Sequence, residues 1–445
     1  MRKKAALHNL GCKVNAYELE AMQQMLEEAD YEIVPFAPGA DVYVINTCTV
    51  TNIADRKSRQ MLHKAKKMNP DAVVVACGCY VQAAGEELQK DDAIDIVIGN
   101  NKKQNLLEIL ENHWKNNQDM DVNIIDINHT KEYEELKITK TAEHTRAYMK
   151  IQDGCNQFCT YCIIPFARGR VRSRQVEDVL QELHTLAAAG YQEVVLTGIH
   201  LSSYGTDFDG CQKSEEYPYG TELITLIEAI ENIDGIERVR LGSLEPGIVT
   251  EAFVKRLSVC EKICPHFHLS MQSGCDETLK RMNRRYDTAK FAERCGILRK
   301  YFPDVALTTD IIVGFPGETE EEFQKTKEYV EQIHFFETHI FKYSRRKGTK
   351  AAVMADQVSD DLKTKRSQIL IELGTKHQKE YADHFLNQEV EVLFEEQVEE
   401  NGISYWQGHT RHYVRALVQS EENLTNIRKM CKVKKVSENG TLFCE

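Results

Sequence analysis

Three cysteines within residues 154–162, GCNQFCTYC, are spaced to bind a metal. They are Cys155, Cys159 and Cys162, in a C-x3-C-x2-C pattern. A structural zinc site normally closes with four ligands, and the next cysteine, Cys211, lies far downstream in a polar segment. A catalytic zinc site usually recruits histidine or a carboxylate, and the motif has neither within reach. An iron–sulfur cluster normally takes four thiolates, so three would leave one iron open to a ligand from outside the protein.

A second set of cysteines is dispersed through the first eighty residues. NLGCKVN contains Cys12, NTCTV contains Cys48 and CGCY contains Cys79, each placed where a predicted strand ends. Because the carboxyl ends of parallel strands meet at one edge of a sheet, we expect the three thiols to converge in space. The alternative is three buried apolar cysteines, which is the role we expect for Cys77 inside its strand.

The segments around these cysteines predict a domain of alternating strands and helices over residues 1–115. Apolar runs typical of strands lie between helical patterns such as AYELEAMQQMLEEA and NIADRKSRQMLHKAKKM. Strands that alternate with helices of this length indicate a parallel sheet with crossover helices. The predicted strands are Ala5–Leu10, Asp41–Thr47, Ala72–Cys77 and Ile94–Ile98.

Two further domains are predicted beyond a polar linker over residues 116–140, in which one or two strands are expected. Residues 141–375 contain six strand patterns, each followed by a helix or a loop, which favours a parallel barrel or part of one. The last helical pattern covers residues 361–385. Residues 376–445 alternate apolar and polar positions and carry an Asn439-Gly440 turn, which predicts a small antiparallel β-barrel. The fold class is therefore multidomain α/β.

Composition places the chain in the cytoplasm and away from membranes. The sequence has 445 residues, fourteen cysteines and a formal net charge of −13. No apolar run reaches the length needed to span a membrane, and MRKKAALHNLGCK lacks the apolar core of a signal peptide. Cytosolic thiols stay reduced, so the cysteines are expected to bind metal or pack in the core rather than form disulfides.

Positive charge is concentrated in a few segments despite the acidic total, which would suit local contacts with RNA. In FARGRVRSR the arginines fall at every second position, so an extended segment would place their guanidinium groups on one face. A solvated face is the ordinary alternative for such clusters. The candidate RNA contacts from these segments are Arg168, Arg170, Arg172, Arg174, Arg284 and Arg285.

The position of the C-x3-C-x2-C motif after the first strand of the second domain, with Tyr161 before its last cysteine, resembles the radical S-adenosylmethionine (SAM) superfamily. That resemblance implies that Cys155, Cys159 and Cys162 hold a [4Fe–4S] cluster and that SAM binds the fourth iron. It also implies SAM contacts at successive strand ends, where glycines let backbone amides approach a ligand. The implied contacts are Thr197, Gly198, Gln272, Ser273, Thr309, Asp310, Gly314 and Gly317.

The three predicted domains together resemble the methylthiotransferase family over essentially the whole chain. This resemblance implies a Rossmann- or flavodoxin-like first domain whose Cys12, Cys48 and Cys79 hold a second [4Fe–4S] cluster. It implies a central partial (β/α)6 barrel and a C-terminal TRAM domain that binds RNA, with bases stacked on rings and phosphates held by cations. The implied RNA contacts in the TRAM domain are Trp406, Arg411, Tyr413 and Arg415.

The same resemblance implies the chemistry and the partners. One SAM would donate a methyl group to sulfur, and a second would yield the 5′-deoxyadenosyl radical that allows methylthio insertion at an unactivated C–H bond. LGCKVN at residues 10–15 resembles the branch that acts at C2 of N6-threonylcarbamoyladenosine beside the anticodon. The alternatives are isopentenyladenosine in tRNA and an aspartate of a ribosomal protein. The expected partners are a tRNA anticodon stem-loop, a sulfur donor and an electron donor such as a flavodoxin or ferredoxin.

A protein of a different class is the remaining alternative. A non-catalytic RNA-binding protein with structural metal sites would also contain cysteine clusters and local positive charge. It would hold zinc, remain colourless and fail to cleave SAM.

Overall fold

The computed structural model describes residues 2–88, 90–116, 120–140 and 145–445. Its N-terminal part is a six-stranded parallel sheet with the strand order β2-β1-β3-β4-β5-β6. The strands are β1 (Lys4–Asn9), β2 (Glu32–Ile33), β3 (Val42–Thr47), β4 (Val73–Gly78), β5 (Ile96–Ile98) and β6 (Asp121–Asn123). The helices are α1 (Lys13–Glu28), α2 (Asn52–Met68), α3 (Cys79–Leu88) and α4 (Leu106–Asn116).

The central strands of this sheet are buried on both faces, as their continuous apolar sequences require. Every residue of β3 and β4 is buried. The four predicted strands are present with ends shifted by one or two residues. Strand β2 was not predicted, whereas β6 is a strand of the kind expected in the linker. Strand β6 lies within the segment predicted as a linker and pairs with β5. Residues 117–119 and 141–144 of the predicted linker and second domain lie outside the described residues.

The central part contains six parallel strands in the order β7-β9-β10-β11-β12-β13, with β8 antiparallel at the edge. The strands are β7 (Arg146–Asp153), β8 (Arg172–Ser173), β9 (Glu193–Gly198), β10 (Arg238–Leu241), β11 (His266–His268), β12 (Ala306–Val313) and β13 (Glu337–Lys342). The helices are α5 (Ile164–Ala167), α6 (Val176–Ala188), α7 (Glu222–Ile230), α8 (Glu251–Leu257), α9 (Asp276–Arg281), α10 (Thr288–Tyr301), α11 (Glu320–Ile333) and α12 (Asp360–Asp383).

This arrangement is the predicted partial (β/α)6 barrel. Two isolated parallel bridges, Val239 to Ile263 and Leu244 to Leu269, join β10 to β11 and make the strand series continuous. Helix α11 begins with a capping box, in which Thr319 and Glu322 each bond the other residue's backbone amide. No helix in the described ranges is long and apolar enough to cross a membrane.

The C-terminal part is a closed five-stranded barrel with the order β14-β15-β16-β18-β17. Its pairs are antiparallel except for β16 with β18, which is parallel. The predicted turn at Gly440 joins the last two strands, and its φ of 75° explains the glycine. The strands are β14 (Glu389–Glu400), β15 (Ile403–Thr410), β16 (Arg415–Val418), β17 (Arg428–Val436) and β18 (Leu442–Cys444).

The small barrel packs against the amino-terminal ends of the central strands. Arg238 and Arg240, both on β10, pair with the buried Glu193 at the start of β9. Arg238 also pairs with Glu391 of the small barrel at 2.7 Å, and Arg240 donates to the Thr410 carbonyl at 3.1 Å. The opposite, carboxyl-terminal ends of the strands carry the central cysteine motif.

Candidate metal centres

The central triad, Cys155, Cys159 and Cys162, lies in the loop between β7 and α5. All three thiols are partly exposed and none is in a disulfide. Gly154 opens the loop at φ 71°, and a Cβ there would lie 1.8 Å from the Arg170 carbonyl oxygen. Only glycine fits this close backbone crossing, so the loop conformation depends on it.

Backbone contacts hold the triad loop from both sides. The Cys155 amide donates to the Gly169 carbonyl at 3.0 Å, and the Thr160 amide donates to Met282 at 3.0 Å. The Thr160 hydroxyl donates to the Arg281 carbonyl at 2.9 Å. The segment after α9 therefore fixes the middle of the loop, and the triad is positioned by residues that lie far apart in sequence.

A buried arginine donates to the central triad. Arg284 Nη1 lies 3.2 Å from Cys159 Sγ, while its Nη2 pairs with Glu245 at 2.8 Å. Burial raises the pKa of Cys155 to about 11, against a hydrogen bond from the Gln157 amide that lowers it. The Arg284 cation also lowers the pKa of Cys155, so it favours the thiolate form of that residue.

The N-terminal triad, Cys12, Cys48 and Cys79, occupies the carboxyl ends of β1, β3 and β4, which are adjacent in the sheet. A Cβ on Gly11 would lie 3.3 Å from Cys48 Cβ, so these two loops are in close contact. The pKa of Cys48 is raised to about 11, mainly by burial and also by the neighbouring thiols of Cys79 and Cys12, against a hydrogen bond from the Val50 amide that lowers it. The predicted convergence of the three strand ends is therefore present.

The remaining cysteine of this region packs in the core, as predicted. Cys77 is fully buried inside β4, and its thiol contacts the Ile45 carbonyl at 3.5 Å. Burial raises its pKa to about 12. This thiol therefore stays protonated at neutral pH.

The N-terminal triad also has a buried arginine. Arg168 Nε donates to Cys79 Sγ at 3.1 Å, and its other nitrogens bond Glu18 at 2.8 Å and Asp153 at 3.1 Å. Asn100 Nδ2 lies 3.7 Å from the same sulfur. Each triad thus has one cysteine that accepts a hydrogen bond from an arginine held by carboxylates.

These contacts correct the prediction that the arginines of FARGRVRSR form one RNA-facing surface. Arg168, Arg172 and Arg174 are buried, and only Arg170 of the four is exposed. Arg174 pairs with Glu182 at 2.7 Å. The alternation does not produce one face because the extended part, β8, is only two residues long. The buried guanidinium groups neutralise carboxylates from other segments.

Arg284 was likewise predicted to contact RNA and instead lies buried beside the central triad, whereas its neighbour Arg285 is exposed. The prediction is therefore wrong for Arg284. Its position could not follow from the charge pattern, because the partners Glu245 and Cys159 come from other strand ends.

The predicted contacts in the small barrel are also corrected. Trp406 is buried in the barrel core. The Tyr413 ring stacks on His266 and His409 and lies 4.9 Å from both the Arg146 and Arg240 guanidinium carbons. Arg411 donates to the Ile263 carbonyl at 3.0 Å, and Arg415 pairs with Glu400 at 2.7 Å. Tyr413 and Arg411 thus attach the barrel to the central domain rather than face outward.

The predicted SAM contacts lie at strand ends, but several of their side chains have partners within the protein. Thr309 donates to the Leu269 carbonyl and accepts from the Met271 amide, and Ser273 contacts Thr326 at 3.3 Å. Both residues are buried, and their hydroxyls join β12 and α11 to the segment that follows β11. Thr197 is buried at the end of β9.

The other predicted contacts are backbone positions with special geometry, apart from Asp310. Gln272 has φ 67°, and its amide and carbonyl bridge to β12. Gly314 packs against the Lys363 side chain and Gly317 faces Arg281, while a Cβ on Gly198 would meet Gln152. Asp310 is partly exposed, 3.3 Å from His268 Nε2.

The spacing of the sulfurs does not suit a single zinc ion. In the described part of the chain, two groups have three ligand atoms within 4.8 Å of one another, and neither contains a cysteine. A tetrahedral zinc ion with Zn–S bonds of about 2.3 Å would hold its sulfurs roughly 4 Å apart. Wider triads of soft thiolate donors fit a multinuclear iron–sulfur cluster. The two groups are His268–Asp310–His339 and His334–His377–Glu380.

Several residues around the triads could not be recognised from the sequence. Glu245 accepts a hydrogen bond from Arg284, and Glu18 accepts one from Arg168. Asn100 contacts the Cys79 sulfur, and all three residues are buried. The available signal in the sequence was a carboxylate or amide residue next to an apolar strand pattern, such as Glu245 in GSLEPG.

Comparison with known proteins identifies the family. The model described as "Uncharacterized protein family UPF0004" matches residues 4–99, and that of the "Radical SAM superfamily" matches residues 149–330. The threonylcarbamoyladenosine tRNA methylthiotransferase MtaB of Bacillus subtilis is 42% identical over 96% of this chain and 93% of its own length. The chain belongs to the radical SAM methylthiotransferase family.

Other relatives in the methylthiotransferase family differ in their named product. The Aquifex aeolicus protein, also named threonylcarbamoyladenosine tRNA methylthiotransferase, is 39% identical over 90% of this chain and 94% of its own. The tRNA-2-methylthio-N(6)-dimethylallyladenosine synthase of Acetivibrio thermocellus is 34% identical over 97% of this chain and 88% of its own. The family makes this chain a SAM-dependent enzyme with a [4Fe–4S] cluster.

Solved structures share the methylthiotransferase chain's fold at low identity. The radical SAM methyltransferase TsrM from Kitasatospora setae, with cobalamin and a [4Fe–4S] cluster bound, superimposes with a TM-score of 0.58 at 15% identity. The match covers 79% of this chain and 77% of TsrM. The cobalamin-dependent radical SAM enzyme OxsB gives a TM-score of 0.51 at 12% identity, covering 83% and 56%. These similarities concern the fold alone.

Proposed function

We propose that this enzyme inserts a methylthio group at C2 of N6-threonylcarbamoyladenosine beside the anticodon of tRNA. The observation that carries the proposal is the pair of cysteine triads, each with an arginine donor, in a chain related over its whole length to tRNA methylthiotransferases. Relatives named for threonylcarbamoyladenosine are 42%, 39% and 34% identical, while relatives named for dimethylallyladenosine include those at 34%, 35% and 36%. The LGCKVN segment supports the same branch.

The two triads are assigned different roles in this proposal. Cys155, Cys159 and Cys162 hold the [4Fe–4S] cluster that leaves one iron for SAM, and the triad at Cys12, Cys48 and Cys79 holds a second [4Fe–4S] cluster. When bound, the first cluster and SAM supply the 5′-deoxyadenosyl radical that activates the C–H bond. The remaining predicted SAM contacts, such as Asp310 and Gly198, stay part of the proposal.

The protein groups around the central triad orient ligands and control charge. Arg284 and Glu245 place a buried ion pair against one sulfur. Gln157 contacts His200 and Tyr219 at 3.3 Å each, so the polar wall next to the triad is held by mutual hydrogen bonds. Side chains that already hydrogen-bond to one another can hold a reactive ligand in place without changing their own conformations.

Exposed side chains next to the central triad form the proposed RNA contact. The Arg170 guanidinium lies 4.4 Å from the Phe158 ring centroid, and Phe158 and Phe166 are partly exposed and in edge contact. Arg285, which directly follows Arg284, is also exposed and adds a further cation to this proposed contact. Aromatic rings with adjacent cations suit unstacked bases and phosphates.

In the small barrel, proposed to be a TRAM domain, β17 carries four exposed lysines. Lys429, Lys432, Lys434 and Lys435 are exposed there. We propose that they hold the phosphate backbone of tRNA, a contact that weakens as salt rises. A sulfur donor and an electron donor such as a flavodoxin or ferredoxin remain the proposed partners, and the cytoplasm the proposed location.

The test is expression in a host that makes threonylcarbamoyladenosine and isopentenyladenosine but neither methylthio form. Nucleosides from its tRNA are then analysed by mass spectrometry, with the Cys155→Ala variant as the matched control. A methylthio group on threonylcarbamoyladenosine, absent with the variant, is the expected result. Its appearance on isopentenyladenosine instead would contradict the substrate assignment. Unchanged tRNA with intact SAM cleavage would redirect the search to the ribosomal-protein aspartate.

A further inference from the structure

Arg168 lies in a buried ionic network at the junction of the N-terminal and central domains. Its guanidinium group reaches Glu18 of α1, Asp153 at the end of β7 and Cys79 of the N-terminal triad. The side chains of Arg168 and Glu18 are fully buried. Residues from three separate segments therefore meet at one cation, and that cation contacts a sulfur.

The network contains more positive than negative side chains. Lys150 pairs with Glu18 at 2.8 Å and with Asp153 at 2.7 Å, and Lys103 pairs with Glu18 at 3.1 Å. Arg172 lies 3.7 Å from Asp153. With Arg168, these are four cations joined to two carboxylates. The buried Glu134, which accepts a hydrogen bond from the Lys103 amide, adds one further carboxylate.

One positive charge therefore remains without a carboxylate among the described residues of the network. Burying an uncompensated charge is costly, so such networks normally contain a balancing group. The Cys79 sulfur is the group that the Arg168 Nε–H bond reaches. Three thiolates around a [4Fe–4S]2+ core carry a net charge of minus one, which fits the same balance.

We propose that Arg168 is a positioning residue for the N-terminal triad, which orients Cys79 and raises the reduction potential of a cluster bound there. The inference rests on the proposed second cluster. Hydrogen bonds to ligand sulfurs and nearby positive charge both stabilise the reduced, more negative form of an iron–sulfur cluster. Glu18 and Asp153 hold the guanidinium in place and offset part of its charge.

The network also makes the sign of each substitution predictable. Arg168→Met removes a positive charge and the hydrogen bond, so the potential becomes more negative. Glu18→Gln removes a negative charge while the Cys79 contact remains, so the potential becomes less negative. Arg168→Lys keeps the charge but not the planar fork, and its shift lies between that of Arg168→Met and the parent. A purely structural role would not give opposite shifts for Arg168 and Glu18.

The experiment uses the full chain with Cys155, Cys159 and Cys162 all changed to alanine, so that any bound cluster belongs to the N-terminal triad. Iron and sulfide are quantified after anaerobic reconstitution, and the potential is measured by a redox titration followed by electron paramagnetic resonance. Arg174→Met is the matched control, since Arg174 is equally buried and paired with Glu182 but bonds Tyr17 rather than a cysteine.

The expected result is a lower potential for Arg168→Met, a higher one for Glu18→Gln and no shift for Arg174→Met. If Arg168→Met fails to fold or to bind iron, Arg168→Lys and Glu18→Gln decide, and shifts in the same direction or none would overturn the inference. A parent that binds no iron would refute the second cluster itself, and with it this role. If the parent binds a normal cluster but Arg168→Met, Arg168→Lys and Glu18→Gln all leave its reduction potential unchanged, only the role of Arg168 would be refuted.

Discussion

Arg284 donates from Nη1 to Cys159 Sγ over 3.2 Å while its Nη2 holds Glu245 at 2.8 Å. One buried guanidinium group thereby connects a thiol of the central triad to the end of β10. This contact makes the triad loop dependent on a strand end that precedes Arg284 by about forty residues.

Removal of this arginine is expected to destabilise the protein and impair the central cluster. Arg284→Met leaves Glu245 buried without its partner, an effect of about 3–5 kcal/mol on the free energy of unfolding. Urea denaturation of the anaerobic apoprotein measures it. The double variant Arg284→Met/Glu245→Gln should recover part of the loss, and the exposed neighbour variant Arg285→Met should stay within about 0.5 kcal/mol of the parent. Equal losses for Arg284→Met and Arg285→Met would contradict the buried ion pair.

Alanine substitutions in the two triads are expected to separate two activities. Cys155→Ala, Cys159→Ala or Cys162→Ala should abolish reductive cleavage of SAM, because each removes a proposed ligand of the SAM-binding cluster. Cys12→Ala, Cys48→Ala or Cys79→Ala should leave SAM cleavage but stop methylthio insertion. Chromatography of 5′-deoxyadenosine and mass spectrometry of tRNA nucleosides measure the two steps.

Cys77→Ala is the control for that comparison, because this buried cysteine is only two residues from Cys79 and packs in the core. It should lower the free energy of unfolding by about 1 kcal/mol and keep both activities. Normal methylthio insertion by Cys79→Ala, or its loss in Cys77→Ala, would reverse the assignment of these two thiols.

Gly154→Ala is expected to disrupt the central triad without unfolding the other domains. The new Cβ would lie 1.8 Å from the Arg170 carbonyl oxygen, so the loop must move. Iron binding at the central triad, measured in a Cys12→Ala/Cys48→Ala/Cys79→Ala background, should be lost. Gly190→Ala serves as the control, because Gly190 also has positive φ, at 93°, but no atom lies within 4 Å of the new Cβ. Gly190→Ala should lower the free energy of unfolding by about 1–2 kcal/mol, because of the backbone conformation alone. Iron retained by Gly154→Ala would show that the triad loop tolerates the movement.

Acid should weaken the junction of the central domain and the small barrel through Glu193. Burial alone would raise the pKa of this carboxyl group, but Arg240, Arg146 and Arg238 lower it from 4.5 to about 2. A lowered pKa in the folded state adds stability that is complete above pH 4.5 and lost as the pH falls towards 2. The shift corresponds to about 3 kcal/mol.

Glu193→Gln should remove that contribution at neutral pH and flatten the stability profile between pH 4.5 and 2. Denaturation midpoints measured across this range provide the test. The comparison is Glu421→Gln, which should leave the profile unchanged because Glu421 is exposed on the surface. A Glu193→Gln profile parallel to that of the parent would contradict the role of this ion cluster.

The placement of the two cysteine triads at strand ends and in one loop could be predicted from the sequence. Cys12, Cys48 and Cys79 each follow a strand, and parallel strands bring their ends together whatever the details of packing. Cys155, Cys159 and Cys162 lie within one loop, so their proximity needs no long-range information. Four of the six strands of the first domain could be predicted because their apolar runs are continuous.

The arginines could not be placed from the sequence because burial depends on distant carboxylates. Arg168 pairs with Glu18, which is 150 residues earlier in the chain. A spacing of two also gave no information here, since the segment around Arg172 is extended over only two residues. Tyr413 and Trp406 were misassigned in a similar way, because an aromatic ring in a small barrel can face its core or another domain as readily as RNA.

The position of Asp153 limits how this chain can be divided. Asp153 bonds Arg168 and Lys150 in the ionic network and lies two residues before Cys155. A fragment that began after the first domain would lack Glu18 and Lys103. It would also expose Lys150, Asp153 and Arg168, which are buried from solvent in the whole chain. The central domain is therefore not a transplantable module, and chimaeras that exchange whole domains between relatives must carry both sides of this junction from one parent.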